Sequence, residues 1–404
     1  MSNGRAGRFL PYGRQQIDED DIAAVAEVLR GDYLTTGPAV AAFEQALRGV
    51  TGANHAVACA NGTAGLHLAA LALDLKPGHV AVVPSLTFLA TANAVRLTGA
   101  EVVFADVDPA TGLMGADHLE AALSRTEKSR VRAVFPVHLN GQCVDMESVG
   151  ACARRHGLAV VEDACHALGA NQRMGNDWIG TGACAASDMA VFSFHPVKTV
   201  AMGEGGAVTC ADETLDRRLR SLRSHGLTRE ASEFTVTEQA FDAEGQPNPW
   251  YYEMHEVGLN YRASDINCAL GLSQINKLPR FQASRARIMA EYARLLAPLA
   301  PIVRLVPQMS WSQPSWHIAV AHIDTAAAGT TRAKLVRQLF ADGIGTQVHY
   351  LPVHRQPYYR ERYGLADLPG ADAYYAGCLT LPMFVGMELA DVARVAQSLR
   401  SALG

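Results

Sequence analysis

The chain has 404 residues, of which 49% are apolar and 19% charged, with 35 glycines and 18 prolines. That is a globular composition, too apolar for disorder and too poor in glycine and proline for a fibrous chain. A balance of 35 basic against 40 acidic residues leaves a net charge of −5, so nothing points to nucleic acid or an anionic membrane as partner.

The stretch Met1–Gln16 lacks the apolar core of a signal peptide, and no apolar run approaches the roughly 18 residues of a membrane span. The eight cysteines are scattered, with no Cys-x-x-Cys pair and no zinc-like spacing to histidine; they read as reduced thiols, and no metal is expected. A soluble cytoplasmic protein follows. Ile22, Val25 and Val28/Leu29 share one face and predict a helix over Asp18–Arg30, ended by the Gly31–Gly37 break. A second helix is predicted over Val40–Arg48. From His55 onward short β-rich runs alternate with helical ones. Strands are predicted at Ala56–Ala60, Val80–Val83, Val102–Ala105, Ala133–Val137 and Ala159–Glu162, with helices at Ala64–Leu73, Phe88–Thr98, Ala116–Ser124 and Met146–His156. Such alternation means a largely parallel sheet covered on both faces, with ligands at the carboxyl ends of its strands.

Strands Met189–Phe194 and Gly206–Cys210 flank a Gly-rich turn, and the polar stretch Arg229–Pro249 reads as a surface excursion. Helices at Ala263–Lys277 and Arg280–Leu296 follow, the second bridging to a smaller C-terminal domain. That domain carries strand-like His317–His322 and Thr346–Tyr350 and helices near Arg332–Asp342 and Leu389–Leu399. The expected division is 1–278 for the N-terminal segment and large domain, and 279–404 for the small one.

Three segments could carry chemistry. Asn61-Gly62-Thr63-Ala64-Gly65 follows a strand and opens a helix, where free N–H groups either cradle a phosphate or merely form a tight turn. Val160–Asp163 is an apolar strand ending in acids; Asp163 there either contacts a cofactor or caps the next turn. Ser193-Phe194-His195-Pro196-Val197-Lys198, followed by Gly203-Glu204-Gly205-Gly206, places a lysine beyond an apolar strand. A desolvated lysine loses proton affinity and serves as nucleophile and base; a solvated surface lysine is the plain alternative. The ordered set of phosphate turn, strand-end carboxylate and lysine is what pyridoxal 5′-phosphate requires, and it favours that cofactor.

The lysine segment, together with Glu162–Gly169 and Gly258-Leu259-Asn260-Tyr261-Arg262, resembles the DegT/DnrJ/EryC1/StrS family of nucleotide-sugar aminotransferases, from about Tyr12 to the C-terminus. The resemblance implies an α/β, aspartate-aminotransferase (type I) fold with a large, mostly parallel-sheet domain and a smaller C-terminal α/β domain. It implies a homodimer with shared active sites and pyridoxal 5′-phosphate alternating with its pyridoxamine form. Arg223-Ser224-His225-Gly226, Ala269–Gln274 and Gln347–Tyr350 are most similar to members acting in pseudaminic acid synthesis. That implies transfer of an amino group, from glutamate, to C4 of a UDP-4-keto-6-deoxy-N-acetylhexosamine.

On this resemblance Lys198 binds the cofactor aldehyde and shuttles the proton, Asp163 pairs with the pyridine nitrogen, and His166 neighbours the phenolic oxygen. Phe88 stacks on the ring; Gly62, Thr63, Ala64 and Ser193 hold the phosphate, with Asn260 from the other subunit. Tyr12, Asp32, Tyr33, Leu34, Thr35, Asn61, Gln347, Val348, His349 and Tyr350 contact the nucleotide sugar. Tyr12 and Phe88 as plain core aromatics, and His349 as a structural histidine, are the bland alternatives. The Arg229–Tyr252 excursion departs from shorter members, whereas lysine at 198, where deoxygenating members carry histidine, favours amino transfer. Competing readings are a dTDP- or GDP-linked keto sugar, a non-catalytic cofactor-bound regulator, and a cysteine desulfurase.

Overall fold

A computed structural model describes residues 8–404; the start of the N-terminal stretch read for a signal peptide lies outside the described residues. Seven short strands form the central sheet: β1 (His55–Cys59), β2 (Val80–Pro84), β3 (Glu101–Ala105), β4 (Val131–Val134), β5 (Ala159–Asp163), β8 (Met189–Ser193) and β9 (Gly206–Cys210). Between β5 and β8 a hairpin of β6 (Asn171–Met174) and β7 (Asp177–Gly180) stands apart from that sheet. The order is β1-β9-β8-β5-β4-β2-β3, and β9 runs antiparallel to both its neighbours while the other pairings are parallel. β2, β8 and β9 are almost wholly buried, as their continuous apolar runs require of strands covered on both faces.

The covering helices are α1 (Glu19–Arg30), α2 (Pro38–Thr51), α3 (Gly62–Ala72), α4 (Leu89–Leu97), α5 (Ala116–Ser124), α6 (Met146–Arg155) and α7 (Glu213–Arg223). In α3 nine of the eleven residues are buried, so this Ala- and Leu-rich helix has no solvent face and is internal. The predicted strands and helices of this half recur with ends shifted by a few residues. The largest strand shift is at Ala133–Val137. There β4 stops at Val134; Phe135 still donates to the Val82 carbonyl at 2.9 Å, but Pro136 has no N–H with which to continue.

The excursion after α7 is more ordered than its polarity suggests. Strands β10 (Leu227–Thr228) and β11 (Glu253–Met254) pair at its base, and α8 (Thr237–Ala240) lies within it. Glu253 is buried and accepts from the amides of Thr235 and Val236, the Thr235 hydroxyl and the Tyr251 hydroxyl, and pairs with His255. Phe234 packs edge-on against Phe241 and Tyr251. A single buried carboxylate thus collects the donors of a whole loop, which is how a segment with little apolar content holds one shape.

Next come α9 (Asp265–Ile275) and α10 (Leu278–Leu296), then strands β12 (Val303–Leu305), β13 (Ser312–Gln313), β14 (Ala319–Ile323) and β15 (Cys378–Leu381), with helices α11 (Arg332–Ala341), α12 (Pro357–Tyr363), α13 (Pro369–Gly377) and α14 (Leu389–Leu403). β12, β14 and β15 make an antiparallel sheet, whose apolar cluster includes residues of α10, α11 and α14 and Leu10 from the N-terminal segment. β13 joins the β6–β7 hairpin instead. Val353, Tyr359, Leu368 and Tyr374 pack into the large-sheet core.

Two expectations here need correcting. Thr346–Tyr350 is no strand: it meets β15 through the single pair Gln347–Thr380, and the rest turns away from the sheet. His317 does not begin β14, because its amide donates to the Asn140 carbonyl at 3.1 Å. All eight cysteines are free. Cys152 and His156, four residues apart, do meet, and with Glu120 they form one hydrogen-bonded group that Arg155 also joins. Among the described residues no helix is long and apolar enough to cross a membrane.

Candidate active site

A cavity of about 640 Å³ opens where five strands of the large sheet end. Its floor is built from the segments that follow β1, β2, β4, β5 and β8, the position at which parallel sheets bind ligands. Its outer wall comes from Gln347–Leu351, and Tyr12 closes one side.

The turn after β1 is shaped by glycine. Asn61 caps α3, its Oδ1 accepting from the Ala64 amide at 2.8 Å. That leaves the first amides of the helix, those of Gly62 and Thr63, without an intrahelical acceptor. A Cβ on Gly62 would stand 2.8 Å from Ser193 Cβ, and one on Gly206 would stand 2.3 Å from the Asn61 carbonyl carbon and oxygen. The helix N-terminus therefore sits directly against the ends of β8 and β9. Two free amides, a positive helix end and the Ser193 hydroxyl converge as an anion site. Ala64, expected in that cradle, has its amide occupied by Asn61 and does not line the cavity.

Asp163 is buried at the end of β5. Its Oδ2 accepts from the Thr91 hydroxyl at 2.7 Å and its Oδ1 from the Cys165 amide at 3.2 Å. Lys198 lies in the loop after β8 and lines the same cavity. Burial holds its amine below the ordinary lysine value, and Cys165 and Asp163 pull the other way without cancelling the effect. Desolvation of this kind leaves more free amine near neutral pH. Burial meanwhile keeps the Cys165 thiol protonated.

Opposite the lysine, three histidines and a tyrosine pack together. His166 Nε2 meets the Tyr350 hydroxyl at 3.0 Å, and its ring lies 4.4 Å from that of His317. His349 Nδ1 meets the Thr380 hydroxyl at 2.8 Å. Burial drives His166 and His317 well below the ordinary histidine value, with Lys198 adding to the effect in both; burial and Lys198 take His349 down to about 3. All three are neutral at physiological pH. His166 Nδ1 and His317 Nδ1 are buried without a hydrogen-bond partner, an arrangement that leaves a polar atom for a ligand to satisfy.

Of the residues singled out from sequence, the cavity gathers Tyr12, Asn61, Gly62, Thr63, Phe88, Asp163, His166, Ser193, Lys198 and Gln347–Tyr350. Phe88 is 57% exposed at the mouth, so it is no core aromatic. Asp32, Tyr33, Leu34, Thr35 and Asn260 are exposed and lie outside the cavity of their own chain. They share a neighbourhood: Thr35 bridges to Ser264 and Asn260 to Ser224. Sequence reading missed His317 and Thr91. Each is a single polar residue beside an apolar run, and only the meeting of distant segments gives it a role.

The residues present suit pyridoxal 5′-phosphate. The anion site could take a phosphate, Asp163 could accept a pyridine N–H and the orphaned His166 Nδ1 could meet a ring oxygen, while Lys198 is a desolvated amine and Phe88 an exposed aromatic face at the mouth. The chain matches the DegT/DnrJ/EryC1/StrS aminotransferase family over residues 15–400. It is similar to Helicobacter pylori PseC, an aminotransferase involved in the biosynthesis of pseudoaminic acid, at 26% identity over 98% of this chain and 99% of that one, with a TM-score of 0.86. It is also similar to a DegT DnrJ EryC1 StrS aminotransferase from Brucella abortus, at 31% identity over 95% of each chain and a TM-score of 0.82. DesI, solved in the presence of its TDP-sugar product, shares 31% identity over 98% of this chain and 93% of that one, with a TM-score of 0.83. The chain belongs to the DegT/DnrJ/EryC1/StrS aminotransferase family and is a pyridoxal-5′-phosphate-dependent sugar aminotransferase.

Proposed function

We propose that this aminotransferase moves an amino group from an amino acid, glutamate, to C4 of a UDP-linked 4-keto-6-deoxy-N-acetylhexosamine, in pseudaminic acid or related surface-glycan synthesis in the cytoplasm. The observation that carries this choice is full-length similarity to the H. pylori enzyme, which agrees with the segments Arg223–Gly226 and Gln347–Tyr350. When bound, pyridoxal 5′-phosphate supplies the aldehyde that takes up the amino group and a ring that accepts electrons. Lys198 Nζ holds that aldehyde and, once released, carries a proton to and from the substrate carbon. Asp163 accepts the ring N–H and so keeps it protonated. Gly62, Thr63 and Ser193 hold the phosphate, and Phe88 covers one ring face. Tyr12 and Gln347–Tyr350 face the sugar nucleotide.

Asp32–Thr35 and Asn260 complete the site of a second copy in this reading. Their exposure on one neighbourhood of the surface supports it. In this reading the two domains are 1–278 and 279–404, with Leu10 reaching into the apolar cluster of the small sheet and Val353, Tyr359, Leu368 and Tyr374 into the core of the large one. A second reading, a dTDP-linked keto sugar, draws on the 31% identity to DesI. Purified protein assayed with UDP-, dTDP- and GDP-linked 4-keto sugars and glutamate separates them, with the amino sugar identified by mass spectrometry. Turnover with the UDP sugar is expected; turnover confined to the dTDP or GDP sugar overturns the UDP choice.

A further inference from the structure

We propose that Thr91 is a positioning residue for the cofactor, acting through Asp163, and that Thr87 and Thr91 form a two-hydroxyl relay ending on that carboxylate. The proposal rests on the reading of Asp163 as the partner of the ring nitrogen.

Thr91 Oγ1 donates to Asp163 Oδ2 at 2.7 Å, while its approach to the Phe88 carbonyl is a marginal 3.4 Å. Thr87 Oγ1 lies 2.8 Å from Thr91 Oγ1. A threonine hydroxyl has one proton to give. With Thr91's committed to the carboxylate, Thr87 must be the donor between the two hydroxyls. The chain is therefore polarised in one sense, from Thr87 to Thr91 to Asp163, and each bond strengthens the next. Both threonines are buried, Thr91 completely and away from the cavity, which Thr87 lines, so water has no ready route to replace the Thr91 hydroxyl.

The other hold on the carboxylate is the longer 3.2 Å bond from the Cys165 amide to Oδ1. Without Thr91 only that longer bond restrains rotation about the last torsion, and the direction of its oxygens is less firmly set. The placement has a second consequence. Phe88, at the mouth of the cavity, caps α4, and Thr91 lies in the first turn of that helix. One helical turn therefore presents a stacking face and also fixes the carboxylate. The cover of the ring and the hydroxyl that orients the partner of the ring nitrogen stand on the same turn.

The test compares Thr91→Val, which keeps shape and removes the hydroxyl, with Thr91→Ser, which keeps the hydroxyl, and uses Asp163→Asn as control. Three quantities are read: the cofactor dissociation constant, kcat against KM, and the pH midpoint of the bound cofactor's absorbance change. Losing a hydrogen bond to a charged group predicts that Thr91→Val raises the dissociation constant and lowers kcat, each by about tenfold or more. KM for the sugar should hardly move. The absorbance midpoint should rise, because a less stabilised ring charge lets the nitrogen of Lys198 keep its proton to higher pH. Thr91→Ser should stay within about threefold of the parent, an effect of less than 1 kcal/mol. A Thr91→Val protein with parental affinity, kcat and midpoint overturns the proposal. So does a Thr91→Ser protein as impaired as Thr91→Val, since the methyl group and not the hydroxyl would then matter. If Asp163→Asn is itself near normal, the reading of Asp163 fails; if it is crippled while Thr91→Val is normal, the relay alone fails.

Discussion

A lysine amine enclosed by protein is a better nucleophile at neutral pH than one in water, because its charged form has lost its hydration. Lys198 has that setting, and the amine at this position cannot be replaced by its neighbours. His195 and His166 carry no primary amine, and the Cys165 thiol is held protonated. Lys198→Ala is therefore expected to abolish amino transfer and to leave no cofactor that borohydride can trap on the chain; trapped cofactor in the mutant would place the attachment elsewhere. The histidines make a separate prediction, about stability. His349 titrates near pH 3 in the folded chain, whereas in an unfolded chain it takes up a proton near pH 6.5. His166 and His317 are depressed in the same direction. For a group that binds its proton more weakly when folded, the stability it confers is complete above the unfolded pKa. It is lost as the pH falls below about 6.5, where the unfolded state takes up protons and the folded state does not. Urea unfolding should weaken steadily from pH 7 to 5, a window above the range in which carboxylates such as Glu101 and Glu120 titrate. His349→Gln should make the decline shallower by up to one proton. An unchanged slope would mean that His349 is not buried neutral.

Secondary-structure elements set the distances between these groups. The N-terminus of α3 reaches Ser193 because glycine stands at 62, 65 and 206, where any side chain would meet neighbouring atoms at 2.8 Å or less. At Gly206 the obstacle is the main chain of Asn61, which cannot swing aside as a side chain can. Gly206→Ala should displace the phosphate turn and weaken cofactor retention by roughly tenfold or more, the scale of losing a hydrogen bond to a charged group. Titration of apo-protein with pyridoxal 5′-phosphate checks this, and parental affinity would show that the turn tolerates the contact. The second wall of the cavity depends on a similar tie. The Val353 amide donates to the Ser85 carbonyl at 2.8 Å, and the Ser85 hydroxyl meets His354 Nδ1 at 2.5 Å. Together they pin the segment after Tyr350 to the end of β2. Neither contact is visible in the local pattern, since 269 residues separate Ser85 from His354.

At the scale of the whole molecule, a single chain carries the cavity but leaves Asp32–Thr35 and Asn260 on its outside. If these residues complete the partner's site, two crippled chains can repair one another. Lys198→Ala and Asn260→Ala homodimers should each be inactive or badly impaired. Unfolding and refolding them together produces mixed dimers in which one site joins intact Lys198 to intact Asn260, while its twin carries both lesions. Activity should reappear in proportion to the mixed species, with at most one working site per dimer. If Asn260 serves its own chain, every site keeps a defect; mixed dimers verified by mass but without recovery would refute the shared site.

The sequence by itself determined the alternation that builds the sheet, the turn at Asn61–Gly65, the acid ending β5 and the lysine after β8. These features are local: apolar periodicity, a capping residue and a glycine act within a few positions of where they are written. That is why the turn at Asn61–Gly65, Asp163, Ser193 and Lys198 could be noticed before any contact was known, while their separate roles came from the resemblance to a family. Only the tertiary structure decided which of these groups meet. It brought Thr91 to Asp163 across 72 residues and Tyr350 to His166 across 184. It turned Thr346–Tyr350 away from the small sheet to line the cavity, and it gave the Arg229–Tyr252 excursion a centre in Glu253. Such meetings depend on how helices and strands pack, and close packing of buried surfaces is a property of the assembled chain that no short window of sequence contains.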